Sequence, residues 1–453
     1  MRFTAADVAA ATGGRWVAPA CGAVPGTPAA VGDVELVGAS FDTRSLLPGQ
    51  LFVPIVAERD GHDFVGAAVA AGARAYLTSD GVRPDGDGAV AIEVADTATA
   101  LMDLAGWGVR RLDATVVGIT GSVGKTSTKD LAAAAIAVGR RVTANARSFN
   151  NEQGLPVTVL GAPDDTEILV LEMGMRGFGE IARLCAVAQP RVGIVIAVAP
   201  SHTERVGGIE GVARAKAELM AALPSDGVAI LNYDDRRVRA MAASTDADVV
   251  FFGESAQADV RMESIVLDEL ARASFTVRTP WGSAPVTLAV SGRHMVTNAA
   301  AAMAAAGHLG VSVASAAEAM GRALLSPSRM AGHRLASGAL VIDDAYNANP
   351  ASMRAALDTL AAVPAARRIA VLGEMAELDD PPGDHAAVAA HVAALGIELI
   401  AVGTPLYGVA PATDYAVAIE RIGRLDAGTA VLVKASRVAQ LDRLAARLVD
   451  PAG

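Results

Sequence analysis

The sequence predicts an α/β protein of three domains, and three observations carry that prediction. Its 453 residues exceed what one hydrophobic core supports. Hydrophobic residues make up 52% but aromatics only 4%, so the core must be built from Ala, Val and Leu, as in parallel sheets buried on both faces. Apolar β-branched runs alternate with helix-forming stretches along most of the chain. The expected parts are residues 1–107, a small α/β domain; 108–326, a phosphate-loop domain with a parallel sheet and an antiparallel β excursion; and 327–453, a Rossmann-like doubly wound domain.

In the first part, Thr4 and Asp7 are spaced as a hydroxyl N-cap with an acid three residues on, and Gly13-Gly14 closes that helix. A Pro/Gly-rich loop over 19–28 precedes Ser40-Phe41-Asp42-Thr43-Arg44-Ser45. Asp60-Gly61-His62-Asp63-Phe64 leads into a helix over 65–71. Taken bare, Thr43-Arg44 and Asp60-Gly61-His62 are turn residues. An Ala- and Leu-rich helix over 97–107 leads to the domain boundary.

The second part opens on the stretch that organises the chain, Val116-Val117-Gly118-Ile119-Thr120-Gly121-Ser122-Val123-Gly124-Lys125-Thr126-Ser127. A β-branched run ends in glycines, a lysine and hydroxyls, and a helix over 129–138 follows. That order is strand, phosphate loop, helix, with backbone N–H groups cradling phosphate at a helix N-terminus. Lys125 would reach the terminal phosphates and Thr126 a Mg²⁺ ion. The spacing is Gly-x-x-Gly-Lys-Thr, shorter than the general phosphate-loop pattern.

Further strands are expected at 167–171, 192–198 and 227–231, running into Glu172, His202 and Asn232, with Lys216 in a helix over 209–223. Open parallel sheets place ligands just beyond strand C-termini, which raises Glu172 and His202. Each alone also reads as a helix cap or turn residue, and Lys216 alone reads as a snorkelling surface lysine. From 259 to 290 the pattern changes to alternation, an antiparallel excursion turning near Pro280-Trp281-Gly282. Residues 295–317 carry no Asp, Glu, Lys or Arg, yet they are too rich in Ala, Gly, Ser and Thr for a bilayer. Two buried helices are expected instead, the second started by Ser315 and Glu318 as a capping box.

Ser326-Pro327-Ser328 marks a linker, and the third part opens with Arg329 and a strand over 339–342 that runs into Asp343-Asp344-Ala345-Tyr346-Asn347-Ala348-Asn349-Pro350. Strands over 369–372, 399–402 and 430–434 alternate with helices.

Charge and cysteine usage exclude some functions. A net charge of −11 argues against a nucleic-acid surface, which needs clustered Lys and Arg. Cys21 and Cys185 lack metal spacing and read as small hydrophobes in a reducing compartment. Met1-Arg2-Phe3-Thr4 leads into a polar helix, not an apolar signal run.

Together these motifs resemble the Mur ligase family. Gly121–Ser127, Asn150-Asn151-Glu152-Gln153-Gly154-Leu155-Pro156, Glu172-Met173-Gly174, His202 with Ala215-Lys216-Ala217-Glu218, Leu231-Asn232-Tyr233-Asp234-Asp235 and Gly292-Arg293-His294 through Asn298 look like its ATP domain. Residues 343–350, Leu372-Gly373-Glu374-Met375-Ala376-Glu377-Leu378 and Asp60–Phe64 resemble its MurF branch, and the shortened phosphate loop is the form the family uses.

The resemblance implies an ATP-dependent ligase of the cytoplasm, a monomer, that adds D-alanyl-D-alanine to UDP-N-acetylmuramoyl-tripeptide. It implies two Mg²⁺ sites, with Thr126 and Glu172 at the first, His202 at the second, and a carbamylated Lys216 as an anionic bridge. Gly121, Ser122, Val123, Gly124, Lys125, Thr126 and Ser127 would cradle ATP, Asn298 would meet its adenine, and Arg329 and Asp344 a phosphate and the ribose. Thr43, Arg44, Asp60 and His62 would lie in the UDP-sugar domain, and Tyr346 and Asn347 near substrate. Three departures, at 203–208, at Asp379 and in Lys434-Ala435-Ser436-Arg437, touch no metal or phosphate position. A sister ligase adding a diamino acid is the nearest rival, but its Asp-Asn-Pro-Arg signature is missing here. A nucleotide-binding scaffold without ligase activity is the rival of a different class.

Overall fold

The computed structural model describes residues 1–17, 32–146, 148–200 and 203–450. The chain forms two compact units. Cys21 and His202 lie outside the described residues.

The first unit comprises Met1–Gly118, Arg140–Gly174 and Ile181–Arg191. Its five-stranded sheet runs in the order Arg15–Val17, Val90–Glu93, Ala75–Thr78, Leu51–Phe52, Ala39–Ser40, parallel except for the antiparallel first strand. The expected N-cap is present: Thr4 and Asp7 form a capping box on helix Ala5–Thr12, which ends at Gly13 with φ +65°. A short strand not foreseen, Arg2–Thr4, pairs antiparallel with Glu35–Val37. Phe3, Leu36, Leu77, Ile92, Leu101, Leu104 and Leu160 share one core.

The helix expected over 97–107 continues to Leu112. Gly106 and Gly108 disfavour a helix by propensity, but a Cβ at Gly108 would lie 3.2–3.4 Å from Met1, Val159 and Leu160. The missing side chain lets helix Gly154–Gly161 approach closely, and packing overrides propensity. Parallel strands Val142–Ala144 and Ile168–Glu172 complete this unit beside the start of strand Thr115–Thr120.

The second unit comprises Ile119–Gly139, Met175–Glu180 and Val192–Gly453. From the end of strand Thr115–Thr120 its sheet proceeds through Val192–Val195, Val228–Asn232, Asp248–Gly253 and Val260–Leu267 in parallel. Arg272–Thr279 and Gly282–Ser291 are then added antiparallel, the excursion read from the alternation. Helix Met295–His308 is almost wholly buried, and helix Val313–Gly321 follows it. No helix among the described residues is long and apolar enough to cross a membrane.

The capping box expected at Ser315 and Glu318 does not start that second helix. Ser312 is the N-cap, with no side-chain hydrogen bond, and Glu318 instead pairs with Arg322 one turn on, at 2.5 Å. A five-stranded sheet closes the chain, in the order Ala331–Arg334, Leu340–Asp343, Thr429–Lys434, Arg367–Leu372, Glu398–Ala401, parallel except for its first strand.

Candidate active site

The phosphate loop sits where the sequence places it, between strand Thr115–Thr120 and helix Lys125–Ile136, which starts four residues earlier than its expected 129. Gly124 caps the helix at φ +82°, a left-handed conformation that glycine adopts without strain. Ser122 fastens the loop. Its N–H donates to Ala197 O at 2.8 Å, its Oγ donates to Ala199 O at 2.8 Å, and Ala199 N–H donates back to Oγ at 2.9 Å. Lys125 Nζ folds across the loop and donates to Gly121 O at 2.9 Å. Thr126 and Ser127 are buried in the first helical turn.

Lys216 is not the surface residue its bare sequence suggests. Helix Ile209–Ala221 turns it inward, leaving it 3% exposed. Burial, and then the charge of Lys125, push its amine well below the usual lysine range toward the neutral form. It makes no ion pair with any described residue. Asn298, on the buried helix Met295–His308, directs its Oδ1 at Gly124, while its Nδ2 lies 3.4 Å from Met295 Sδ. The second unit thus brings Lys125, Thr126, Lys216 and Asn298 together around one loop.

Glu172 belongs to the first unit. It is the last residue of strand Ile168–Glu172, not the first beyond it, and is 1% exposed. Asn150 Nδ2 donates to its Oε1 at 2.6 Å, and its own N–H donates to Asn145 Oδ1 at 2.6 Å, which fixes the carboxylate's direction. Among the described residues no three His, Cys, Asp or Glu side chains form a metal cluster. Of the expected ligands Thr126, Glu172, His202 and Lys216, only Glu172 is a described residue of those types.

Also in the first unit, His62 is buried at 1% exposure. Its Nε2 accepts from Ser79 N–H at 3.2 Å, so Nδ1 carries the proton and donates to Asp60 Oδ1 at 2.6 Å. Hydrogen bonds from the His62 backbone and ring hold the Asp60 carboxyl below its usual range. Arg44 is exposed and grips Asp42 with two bonds, Nε to Oδ1 at 2.9 Å and Nη2 to Oδ2 at 2.7 Å, beside Thr43.

At the C-terminal edge of the last sheet, Lys434 Nζ donates to Asp344 Oδ2 at 2.6 Å and to Asn347 O at 2.9 Å. Arg329 lies over the ring of Tyr346, 4.2 Å from its centroid. Lys434 and Arg437 match the ends of a Lys-Gly-Ser-Arg motif that departs from its pattern at Ala435, and no role follows for them from the sequence. A lysine closing the apolar run 430–433 was the available signal, because a buried ammonium requires a partner. Asp130 is a second such residue: it pairs with buried Lys129 at 3.0 Å and accepts from Ser326 N–H at 2.7 Å, tying the loop helix to the linker.

Comparison with known proteins identifies the family. The Mur ligase middle domain matches residues 119–306, and the Mur ligase glutamate ligase domain matches residues 328–446. The chain belongs to the Mur ligase family. A UDP-N-acetylmuramoyl-tripeptide–D-alanyl-D-alanine ligase from Mycobacterium tuberculosis is 40% identical, over 90% of this chain and 91% of its own. A crystal structure of MurF from Acinetobacter baumannii is 28% identical, with a TM-score of 0.86 and 99% of both chains covered. The MurF ligase from Thermotoga maritima in complex with ADP is 26% identical, with a TM-score of 0.79, over 90% of this chain and 96% of that one. This Mur ligase therefore sits in the MurF branch, and the expected α/β class and three-domain architecture are those of that branch.

Proposed function

We infer that this Mur ligase joins D-alanyl-D-alanine to the terminal carboxylate of UDP-N-acetylmuramoyl-tripeptide at the expense of ATP, a step of peptidoglycan precursor synthesis. The observation that carries the reading is the phosphate loop with buried Lys216 beside Lys125, in a chain aligned over nine-tenths of a relative of that activity.

A free carboxylate is a poor electrophile. The γ-phosphoryl group of ATP passes to it, and the acyl phosphate so formed is attacked by the dipeptide amine, giving an amide and phosphate. The loop N–H groups of 121–127 and Lys125 hold the ATP phosphates and offset the charge that develops during transfer. Residues 108–326 are assigned to ATP, 1–107 to the UDP-sugar through Thr43, Arg44, Asp60 and His62, and 327–453 to the incoming dipeptide and to closure. Asn298 is assigned to the adenine, and Arg329 and Asp344 to a phosphate and the ribose. Exclusion of water protects the acyl phosphate.

The burial of Lys216 supports the carbamate of the expected two-metal site. A buried lysine amine with no counter-ion among the described residues is costly as a cation, and its neutral form is the one that adds carbon dioxide. Thr126 and Glu172 would hold one Mg²⁺ and His202 the other, with carbamylated Lys216 as the anionic bridge. Bound there, the ions would neutralise phosphate charge. A cytoplasmic location fits a charged UDP-linked substrate, and a monomeric state is kept as part of the same proposal.

The test is phosphate release by the purified enzyme with ATP, UDP-N-acetylmuramoyl-tripeptide and D-alanyl-D-alanine. Release that depends on all three is expected. Efficient release with L-lysine or diaminopimelate in place of the dipeptide, and none with the dipeptide, would overturn the reading.

A further inference from the structure

The last sheet has a switch point at its edge that follows from its topology. Strands Leu340–Asp343 and Thr429–Lys434 are parallel neighbours. The chain leaves the first toward helix Pro350–Ala362, which packs on strands Arg367–Leu372 and Thr429–Lys434. It leaves the second toward helix Asp442–Val449, whose Leu444 and Leu448 join Val341, Val431 and Val433 in one core. Met353, Leu357 and Leu360 of the first helix are buried outside that core, against the other face. Adjacent strands whose loops depart to opposite faces make the switch point at which open α/β sheets bind ligands.

Two side chains meet at this edge, where Arg329 also lies over the Tyr346 ring at 4.2 Å. Tyr346 comes from the loop after the first strand, and Arg437 from the loop after the second, with its guanidinium carbon 5.5 Å from the Tyr346 ring centroid. Arg437 is exposed and has no carboxylate partner among the described residues. The neighbouring cation differs: Lys434 is buried and answered by Asp344 at 2.6 Å. A guanidinium resting on an aromatic face, its fork unfilled at a ligand-binding edge, is built to receive a planar anion.

We propose that Arg437, seated on Tyr346, is the receptor for the carboxylate of the incoming D-alanyl-D-alanine. This rests on the functional reading above, which gives the acceptor one amine to attack with and one carboxylate to be neutralised. A bidentate fork fixes the far end of the dipeptide and so orients the amine. Tyr346 holds the fork, so a smaller residue at 346 weakens the same interaction.

The experiment compares D-alanyl-D-alanine with its C-terminal amide as acceptors for wild-type enzyme and for R437A, R437K and Y346A. Wild type is expected to prefer the free acid on the order of 10- to 100-fold in kcat/KM, as a charge-assisted bidentate pair gives. In R437A that preference collapses toward one through a raised KM for the acid, while KM for ATP and for the UDP-tripeptide stays put. R437K and Y346A fall between. An R437A enzyme that keeps the wild-type preference for the acid, or whose KM rises for ATP instead, would overturn the assignment alone. Absence of dipeptide-dependent phosphate release by wild type would overturn the functional reading and the assignment with it.

Discussion

The Oδ1 atom of Asn298 lies 2.5 Å from where a Cβ on Gly124 would sit. The buried helix Met295–His308 therefore reaches the cap of the phosphate loop through one carboxamide, and glycine at 124 is required twice, by its φ of +82° and by this approach.

Gly124→Ala should disable the loop while leaving the fold. The left-handed conformation costs a side chain about 1–2 kcal/mol, and the methyl must also displace Asn298. A fall of at least about tenfold in kcat/KM for ATP is expected, since each 1.4 kcal/mol is a factor of ten. Adding Asn298→Ala relieves the close approach but removes the residue assigned to the adenine and leaves the strain at φ +82°, so the double variant should not regain ATP use. ATP saturation curves on the two variants check this, and unchanged kinetics in Gly124→Ala would remove the coupling.

Lys216→Ala should abolish ligase activity. The substitution also removes a buried amine that has no counter-ion among the described residues, so folding should be unharmed or improved. Short-chain carboxylic acids, which can occupy the space of a carbamate, should restore activity in part. Activity assays with and without added acid, beside a melting curve, separate loss of chemistry from loss of fold. Full activity in the variant would end the carbamate role.

Lys434 and Asp344 form a pair with the ammonium 2% exposed and the carboxylate 15% exposed. Deleting one partner leaves a buried charge unanswered, a loss of about 3–5 kcal/mol. Lys434→Met should lower the urea midpoint by that measure and free the loop carrying Asn347, whose carbonyl also loses its donor. Asp344→Asn in the Lys434→Met background should recover stability, because the orphaned charge is gone. Equal midpoints for wild type and Lys434→Met would contradict the pairing.

Much of this architecture was legible in the sequence because its signals are local. The Thr4–Asp7 capping box, the strand–glycine–lysine order of the phosphate loop and the switch to alternation after residue 259 each depend on neighbours within a few positions. What stayed hidden depends on residues far apart in the chain. Helix Thr97–Leu112 runs through Gly108 because Met1 and Leu160 pack within 3.4 Å of where its Cβ would be. Lys216 reads as a surface lysine until the fold buries it beside Lys125. The Ser315–Glu318 spacing matches a capping box, but Ser312 already starts that helix and Glu318 finds Arg322. Arg437 and Tyr346 lie 91 positions apart and meet only because two adjacent strands send their loops to opposite faces of one sheet.

The last prediction concerns pH and Asp343, the residue before the Lys434 partner. Burial raises its carboxyl above the ordinary 3.8, against hydrogen bonds from Ala345 N–H and Ser328 Oγ that favour the ionised form. The folded state then holds this proton more tightly than the unfolded chain. The stability so gained is fully present below about 3.8 and is lost as pH rises through the raised value. Asparagine is isosteric and never ionises; its Oδ1 can accept from Ala345 N–H while its Nδ2 donates to a rotated Ser328 hydroxyl. Asp343→Asn should therefore match or fall below wild type near pH 4 and gain on it as pH rises to 7. Urea midpoints of both proteins at several pH values give the difference directly, and the other carboxylates cancel in the comparison. A gap that is constant across that range would show that Asp343 titrates alike in the folded and unfolded chain.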